Sequence, residues 1–170
     1  MRHTAIALIC SPDHRTVLMG LHQRGEGKGL LSFVGGKVAD KPEFHDETPD
    51  QSILREIAEE ASITPTTLVH QADIFFDHSH DNSKEDEMMH VYRVDSYKGK
   101  VAENPEEFQL IWFATDHPPL ATMWPSDRIW LPLLLDNENV FHTITFCYSL
   151  SGVIELARHQ QSATLRHIAL

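Results

Sequence analysis

The chain has 170 residues, with 25 Asp and Glu against 14 Lys and Arg, giving a formal net charge of −11. That acid excess repels a phosphate backbone, so it excludes a nucleic acid polymer as the main partner and leaves room for a small anion that arrives with cations. At 41% hydrophobic residues, one domain spanning residues 1–170 can bury about two-thirds of its unfolded surface, which excludes global disorder.

In chain order, Thr4 to Cys10 and Thr16 to His22 read as strands on either side of a polar Ser11-Pro12-Asp13 turn. The first apolar run is too short for a signal peptide. Glycines then crowd the loop Gly25-Glu26-Gly27-Lys28-Gly29 and recur at Gly35-Gly36, where a close backbone approach is expected. Thr48 as N-cap, Pro49 at the first helical position and Gln51 in the capping-box position predict a helix from Pro49 to about Ala61, which Pro65 bars from continuing. Ile53, Leu54, Ile57, Ala58 and Ala61 form its apolar arc. Ala72 to Phe76, Met88 to Val94 and Leu110 to Ala114 read as strands, Ser126 to Leu135 as a second helix capped by Ser126, and Val140 to Tyr148 as another strand. Beyond Gly152, Val153 to His159 fits either period. Ile129 to Leu135, interrupted by Pro132, is too short to span a bilayer, so no membrane partner is expected. Cys10 and Cys147 lack ligand-like spacing and read as buried free thiols in a reducing compartment, the cytoplasm. Strands outnumber helices, which predicts a mixed sheet covered by helices.

Glu56, Glu59 and Glu60 stand at i, i+3 and i+4 on the first helix and share one side of it. Each like-charge pair at that spacing costs roughly 0.2–0.5 kcal/mol in water, and more when partly buried. Arg55 alone does not neutralise three carboxylates. A solvated helix face is the simplest account of such a stripe taken by itself. Beside a Gly-rich loop, however, a hard dication with open positions for water and phosphate oxygens fits the same three groups.

The order Gly35-Gly36-Lys37, then Glu47, then Arg55-Glu56-Ile57-Ala58-Glu59-Glu60 resembles the signature of the Nudix hydrolases. Two departures stand out: residues 37–46 are longer by five than the family spacing, and Ser62 replaces a glycine. Glu43 competes for the upstream acid position, and Glu47 is favoured because it keeps the spacing to Arg55. The resemblance implies an α/β/α sandwich with a mixed β-sheet and a loop-helix-loop catalytic unit. It implies Mg²⁺, with Mn²⁺ as the alternative ion, held by Glu56, Glu59, Glu60, the Gly35 carbonyl and the later-loop Glu107, with Arg55 orienting the carboxylates. Glu59, Glu60 and a Glu on a later loop all remain candidates for the general base.

Trp112-Phe113, Met123-Trp124-Pro125-Ser126-Asp127, Trp130 and Phe141-His142 extend the resemblance to the MutT-type 8-oxo-dGTP diphosphatase branch. By that resemblance Trp124 stacks on a purine, Asp127 binds its edge and Phe76 forms the opposite wall, while Ser32, Gly36 and Lys37 complete the substrate-binding set. Trp112 and Trp130 read as core. Ser32, Ser126 and His22 depart from the polar residues of the branch, which leaves preference for an oxidised base open. The implied reaction is hydrolysis of a purine nucleoside triphosphate to monophosphate and pyrophosphate. Alternatives are a Nudix pyrophosphatase for a dinucleoside polyphosphate or nucleotide sugar, and a low-turnover nucleotide sensor. Twelve histidines raise a separate question, and Asp77-His78-Ser79-His80-Asp81 resembles a metal-binding tract. It is read here as a solvated loop over the site mouth. The acid excess is concentrated: residues 40–60 hold eight acids against two basic residues, residues 73–87 hold six against one lysine, and these two stretches account for the whole −11.

Overall fold

In the computed structural model, which describes residues 1–25, 27–39, 42–79, 84–101, 108–149 and 153–170, the first strand β1 (Arg2–Cys10) is apolar on both faces. Ala5, Ala7 and Ile9 enter one hydrophobic cluster and Leu8 the other, because successive strand residues point to opposite sides. The next strands are β2 (Thr16–His22), β3 (Leu31–Ser32) and β4 (Val34–Lys37). Helix α1 (Pro49–Glu56) follows and runs directly into a π-helical turn over Ile57–Ala61. After it come β5 (Thr64–Pro65), β6 (Val69–Asp77), β7 (Glu87–Val94), β8 (Tyr97–Lys98), β9 (Phe108–Ala114), helix α2 (Asp127–Asp136), β10 (Phe141–Tyr148), β11 (Ile154–Ser162) and β12 (Arg166–His167).

Among the described residues, ten of these strands form one mixed sheet with the main order β11-β10-β6-β7-β1-β2-β3. β1 runs parallel to β7 and β10 parallel to β6, while the remaining pairs are antiparallel. Ile53, Ile57 and Ala61 pack on one face with Tyr92 and Val94, and Trp130, Leu131 and Leu134 of α2 pack on the other with Ile74 and Val91. The expected three-layer arrangement is therefore present, with a helix on each face. Each fully buried large side chain here contributes roughly 1.5–3 kcal/mol by leaving water. Among the described residues, no helix is long and apolar enough to cross a membrane.

The start of α1 forms as its residues dictate. Thr48 Oγ1 accepts from the Gln51 N–H at 3.3 Å, and Gln51 Oε1 accepts from the Thr48 N–H at 2.9 Å, closing the capping box. The helix reaches Ala61 as expected, but its last turn is π-helical, a wider winding often found at functional sites. Ser62 then leaves at φ 58° and ψ 29°, a left-handed conformation that strains a residue bearing a Cβ. Ser62→Gly is expected to gain about 0.5–1 kcal/mol, after allowing for the entropy glycine adds to the unfolded chain. Calorimetry would read that as a melting temperature higher by roughly 1–4 °C.

Several expectations need correction. Ser126 does not cap α2 with its side chain: its backbone is already helical, at φ −63° and ψ −41°, so the hydroxyl points away from the first-turn N–H groups. Its Oγ donates instead to Asp127 Oδ1 at 3.2 Å. Trp130 is core, fully buried against Phe33, whereas Trp112 stands 37% exposed on the outer side of β9. Cys10 is buried, but Cys147 is only half-buried, close to the Asp77 carboxylate; both thiols are free. His78 is buried rather than solvated, while His80 and Asp81 of the same tract lie outside the described residues. The ambiguous tail is strand: backbone pairing to β10 decides between the two periods, since its side chains are mostly exposed.

Candidate active site

β4 and α1 bring the acidic cluster together through two glycines. A Cβ on Gly35, whose φ is 148°, would lie 2.2 Å from the Ala5 carbonyl oxygen across the β1–β4 ladder. A Cβ on Gly36 would lie 2.4 Å from Glu56 Oε1. Glycine at both places lets a carboxylate sit against strand backbone.

Arg55 organises the carboxylates around it. Its Nε and Nη2 donate to Glu47 at 2.8 and 3.1 Å in a two-point fork, and Nη1 donates to Glu56 at 2.8 Å and to Glu59 at 3.2 Å. The guanidinium also lies 4.6 Å from the centre of the Phe44 ring, so the long segment after Gly36 supplies both a carboxylate and an aromatic platform to Arg55. Glu47 is thus the acid paired with Arg55, and Glu43 is exposed. The Arg55 fork holds the Glu47 carboxyl below its ordinary range, against the opposing effect of partial burial. As the sequence led one to expect, Arg55 does not serve all three helix carboxylates: it reaches Glu56 and Glu59, its fork goes to Glu47, and Glu60 is left out.

Glu60 turns inward, where its Oε2 accepts the Gly35 N–H at 3.0 Å. Burial pushes its carboxyl up to about 7; the Gly35 hydrogen bond opposes the shift, and the charges of Glu56 and Glu59 reinforce it. Glu59 faces outward, with its side chain 54% exposed. A half-buried carboxylate crowded by two others, beside a strand that brings glycine backbone within reach, is a donor set suited to a hard dication.

A cavity of about 1220 Å³ opens beside Gly35 and Gly36 and extends between β6 and the start of α2. Ser32, Phe76, Trp124 and Asp127 line it. Phe76 is 7% exposed and stacks on Phe146 with ring centres 5.5 Å apart, which fixes that wall. Trp124 is half-buried and its indole packs close to Gly27. Asp127, 8% exposed, accepts from Trp130 Nε1 at 2.9 Å and from Ser126 Oγ. Burial pushes its carboxyl up to about 6, and the two hydrogen bonds act in the opposite direction. His78 lines the same cavity, stacked on Tyr148 at 4.3 Å, and its Nδ1 is buried with no hydrogen-bond partner among the described residues. Sequence reasoning missed Tyr148 and took His78 for part of a solvated loop over the site mouth; the pairing of β6 with β10 brings the two rings together.

Not every expected residue joins this cavity. Lys37 is exposed and opens on a separate cavity with His3 and His90. Glu107 lies outside the described residues. Ser32, Gly36, Phe76, Trp124 and Asp127 do line one continuous space, with Gly35 and the glutamate cluster at one edge.

Residues 1–134 match the NUDIX domain family. The chain belongs to that family. It is 34% identical over 133 residues to the oxidized purine nucleoside triphosphate hydrolase of Danio rerio, covering 78% of this chain and 79% of that protein. The protein of that name from Mus musculus is 33% identical over the same coverage. In fold, the chain is similar to a MutT protein from Bacillus halodurans, with a TM-score of 0.71, 20% identity, and coverage of 95% of this chain and 97% of that one. The mixed sheet and its few helices are those of a Nudix hydrolase, and the chain is an enzyme of that class. The crowding of Glu56, Glu59 and Glu60 beside Gly35 fits the divalent metal that Nudix hydrolases use.

Proposed function

We propose that this Nudix hydrolase cleaves an oxidised purine nucleoside triphosphate such as 8-oxo-dGTP to the monophosphate and pyrophosphate, keeping the nucleotide pool clean. The carrying observation is one cavity that joins an aromatic wall and a buried carboxylate, Phe76, Trp124 and Asp127, to the glycine strand beside Glu56, Glu59 and Glu60. The names of the 34% and 33% identical relatives support the same substrate class.

In this reading the indole of Trp124 covers a purine face and Asp127 bonds its edge. Glu56, Glu59, Glu60 and the Gly35 carbonyl would hold Mg²⁺, or Mn²⁺, and Glu107 belongs to the same proposed set. When bound, the metal neutralises phosphate charge and lowers the pKa of water. Arg55 fixes the directions of the Glu56 and Glu59 carboxylates through its hydrogen bonds. The proton of the attacking water goes to a carboxylate of this cluster, and the phosphate chain lies along the Gly35-Gly36 backbone. The expected setting is cytoplasmic, supported by the two free thiols.

The test is a Mg²⁺-dependent hydrolysis panel with 8-oxo-dGTP, 2-hydroxy-dATP, dGTP, ADP-ribose and diadenosine polyphosphates, with products separated by chromatography. The expected result is a kcat/KM for an oxidised purine triphosphate roughly tenfold or more above dGTP, since one base-edge hydrogen bond is worth about that much. Chelation of the metal should abolish turnover. Faster cleavage of ADP-ribose or a dinucleoside polyphosphate would reject the substrate, and tight binding without any hydrolysis would reject catalysis.

A further inference from the structure

On the face of β7 opposite the nucleotide cavity, histidines distant in sequence meet. Met89 lines the nucleotide cavity while His90 opens on the separate cavity of about 690 Å³, as alternation along a strand requires. Asp73 of β6 is the direct cross-strand partner of His90. His70 reaches the same face because of a β-bulge: the register between β6 and β7 shifts between His70 and Ala72, so Gln71 has no cross-strand partner and His70 sits opposite Tyr92. Without that extra residue, three positions would put His70 and Asp73 on opposite faces.

The result is a compact donor set. Asp73 Oδ1 lies 2.8 Å from His70 Nε2 and 2.7 Å from His90 Nδ1, and all three atoms fall within 4.8 Å of one another. The far nitrogen of His90, Nε2, lies 3.1 Å from His3 Nδ1, and the two rings stack 9° from parallel.

We propose that His70 Nε2, His90 Nδ1 and Asp73 Oδ1 form a binding site for a borderline-soft dication of the zinc type, separate from the hard-metal site on the glutamate helix. Two imidazoles and one carboxylate suit Zn²⁺, whereas Mg²⁺ favours oxygen donors and retained water. With zinc bonds of about 2.0–2.1 Å, ligand atoms at tetrahedral angles stand about 3.3 Å apart, so each observed contact opens by roughly half an ångström. His3 completes the outer layer: a metal on His90 Nδ1 leaves the proton on Nε2, which then donates to His3 Nδ1 and fixes the ring. One contact must be given up. Arg166 Nη2 lies 3.2 Å from His70 Nδ1, which carries a proton once Nε2 binds metal, so the guanidinium retreats to its two hydrogen bonds with Asp50 at 2.7 and 2.9 Å. The cavity lined by His3 and His90 gives an ion a way in.

The test titrates the full chain with Zn²⁺ in excess Mg²⁺, which occupies the glutamate site, while following histidine ring nitrogens by ¹⁵N NMR and binding by calorimetry. One equivalent should shift His70 Nε2 and His90 Nδ1 together. His90→Ala and Asp73→Asn should each weaken binding by roughly tenfold or more, as losing a ligand must, and Glu59→Gln should leave it unchanged. Wild-type spectra in which neither nitrogen responds would overturn the site whether or not the variants fold. Equal Zn²⁺ affinity in the wild type and both ligand variants would overturn it as well. Neither outcome bears on nucleotide hydrolysis, which the separate panel decides.

Discussion

Glu60→Gln is expected to lower turnover of 8-oxo-dGTP by roughly 100- to 1,000-fold, the loss typical when a charge aimed at the transition state is removed, while the protein stays folded. Glutamine has the shape of glutamate and keeps an oxygen to accept the Gly35 N–H, now made by Glu60 Oε2 at 3.0 Å. What it loses is the anionic charge, which in the metal-free protein is a burden: burial pushes the Glu60 carboxyl up to about 7, helped by Glu56 and Glu59. The metal-free variant should therefore melt at or above the wild-type temperature. Mg²⁺ should raise the wild-type melting temperature more than that of the variant, because a ligand stabilises in proportion to its affinity for the folded state. Steady-state kinetics and paired melts with and without Mg²⁺ check both halves. Near-normal turnover at saturating Mg²⁺ would remove Glu60 from the metal set. A variant that melts well below wild type would instead make Glu60 a structural residue.

What could be read in the sequence was short-range chemistry. Thr48, Pro49 and Gln51 sit within four positions, and the hydrogen bonds they imply are the ones that form. The choice of Glu47 over Glu43 as the upstream acid was visible as spacing, but its ion pair with Arg55 comes from the structure. Two features resisted for physical reasons. The π-turn over Ile57–Ala61 keeps Ile57 and Ala61 buried but leaves Ala58, expected on the apolar arc, exposed, a change of winding that a uniform helical period does not register. The bulge after His70 reverses the side of the sheet on which a residue falls, which depends on the partner strand and not on local composition. Ser126, His78 and Trp112 were misplaced for a related cause: turn geometry and tertiary cover decide a side chain's direction there, and residue type does not.

The second acidic stretch also gains an explanation. Asp73 faces His70 and His90, Asp86 accepts the His78 N–H at 2.8 Å, and Glu87 takes Arg2 and the Thr4 hydroxyl. These carboxylates sit along β6, β7 and their shared end, where β1 supplies partners from the start of the chain. Of these three, Glu87 is met by a guanidinium, whereas Asp73 is held by two histidines and Asp86 by a backbone N–H. The two acidic stretches thus sit at different places, one at the glutamate helix and its entry, the described part of the other along β6 and β7, where Asp73 is the carboxylate of the proposed zinc site.

Asp127→Asn is expected to stabilise the protein at neutral pH and to damage it as an enzyme. Burial pushes the Asp127 carboxyl up to about 6, above an unfolded value of about 3.9. Between those values the folded state binds more protons than the unfolded state, so stability falls as pH rises through the window. Above pH 6 the ionised carboxylate costs about 3 kcal/mol. Asparagine carries no such charge and keeps an oxygen for the Trp130 indole N–H, which donates to Asp127 at 2.9 Å. At pH 8 the variant should melt higher by roughly 6–10 °C, whereas near pH 4 the two proteins should melt together. In the cavity, however, the carboxylate is the group that can accept two N–H donors from a purine edge, and an amide oxygen with an NH₂ beside it cannot match that pattern. A fall in kcat/KM of roughly 10- to 100-fold is expected for purine triphosphates, with pyrimidine triphosphates at their low baseline unaffected. Melting across pH and a purine-against-pyrimidine comparison measure the two effects separately. Equal loss on all nucleotides would give Asp127 a role in shaping the pocket and not in reading the base. A costly buried charge in the wall of the cavity is otherwise unexplained by packing, and base recognition supplies the reason for keeping it.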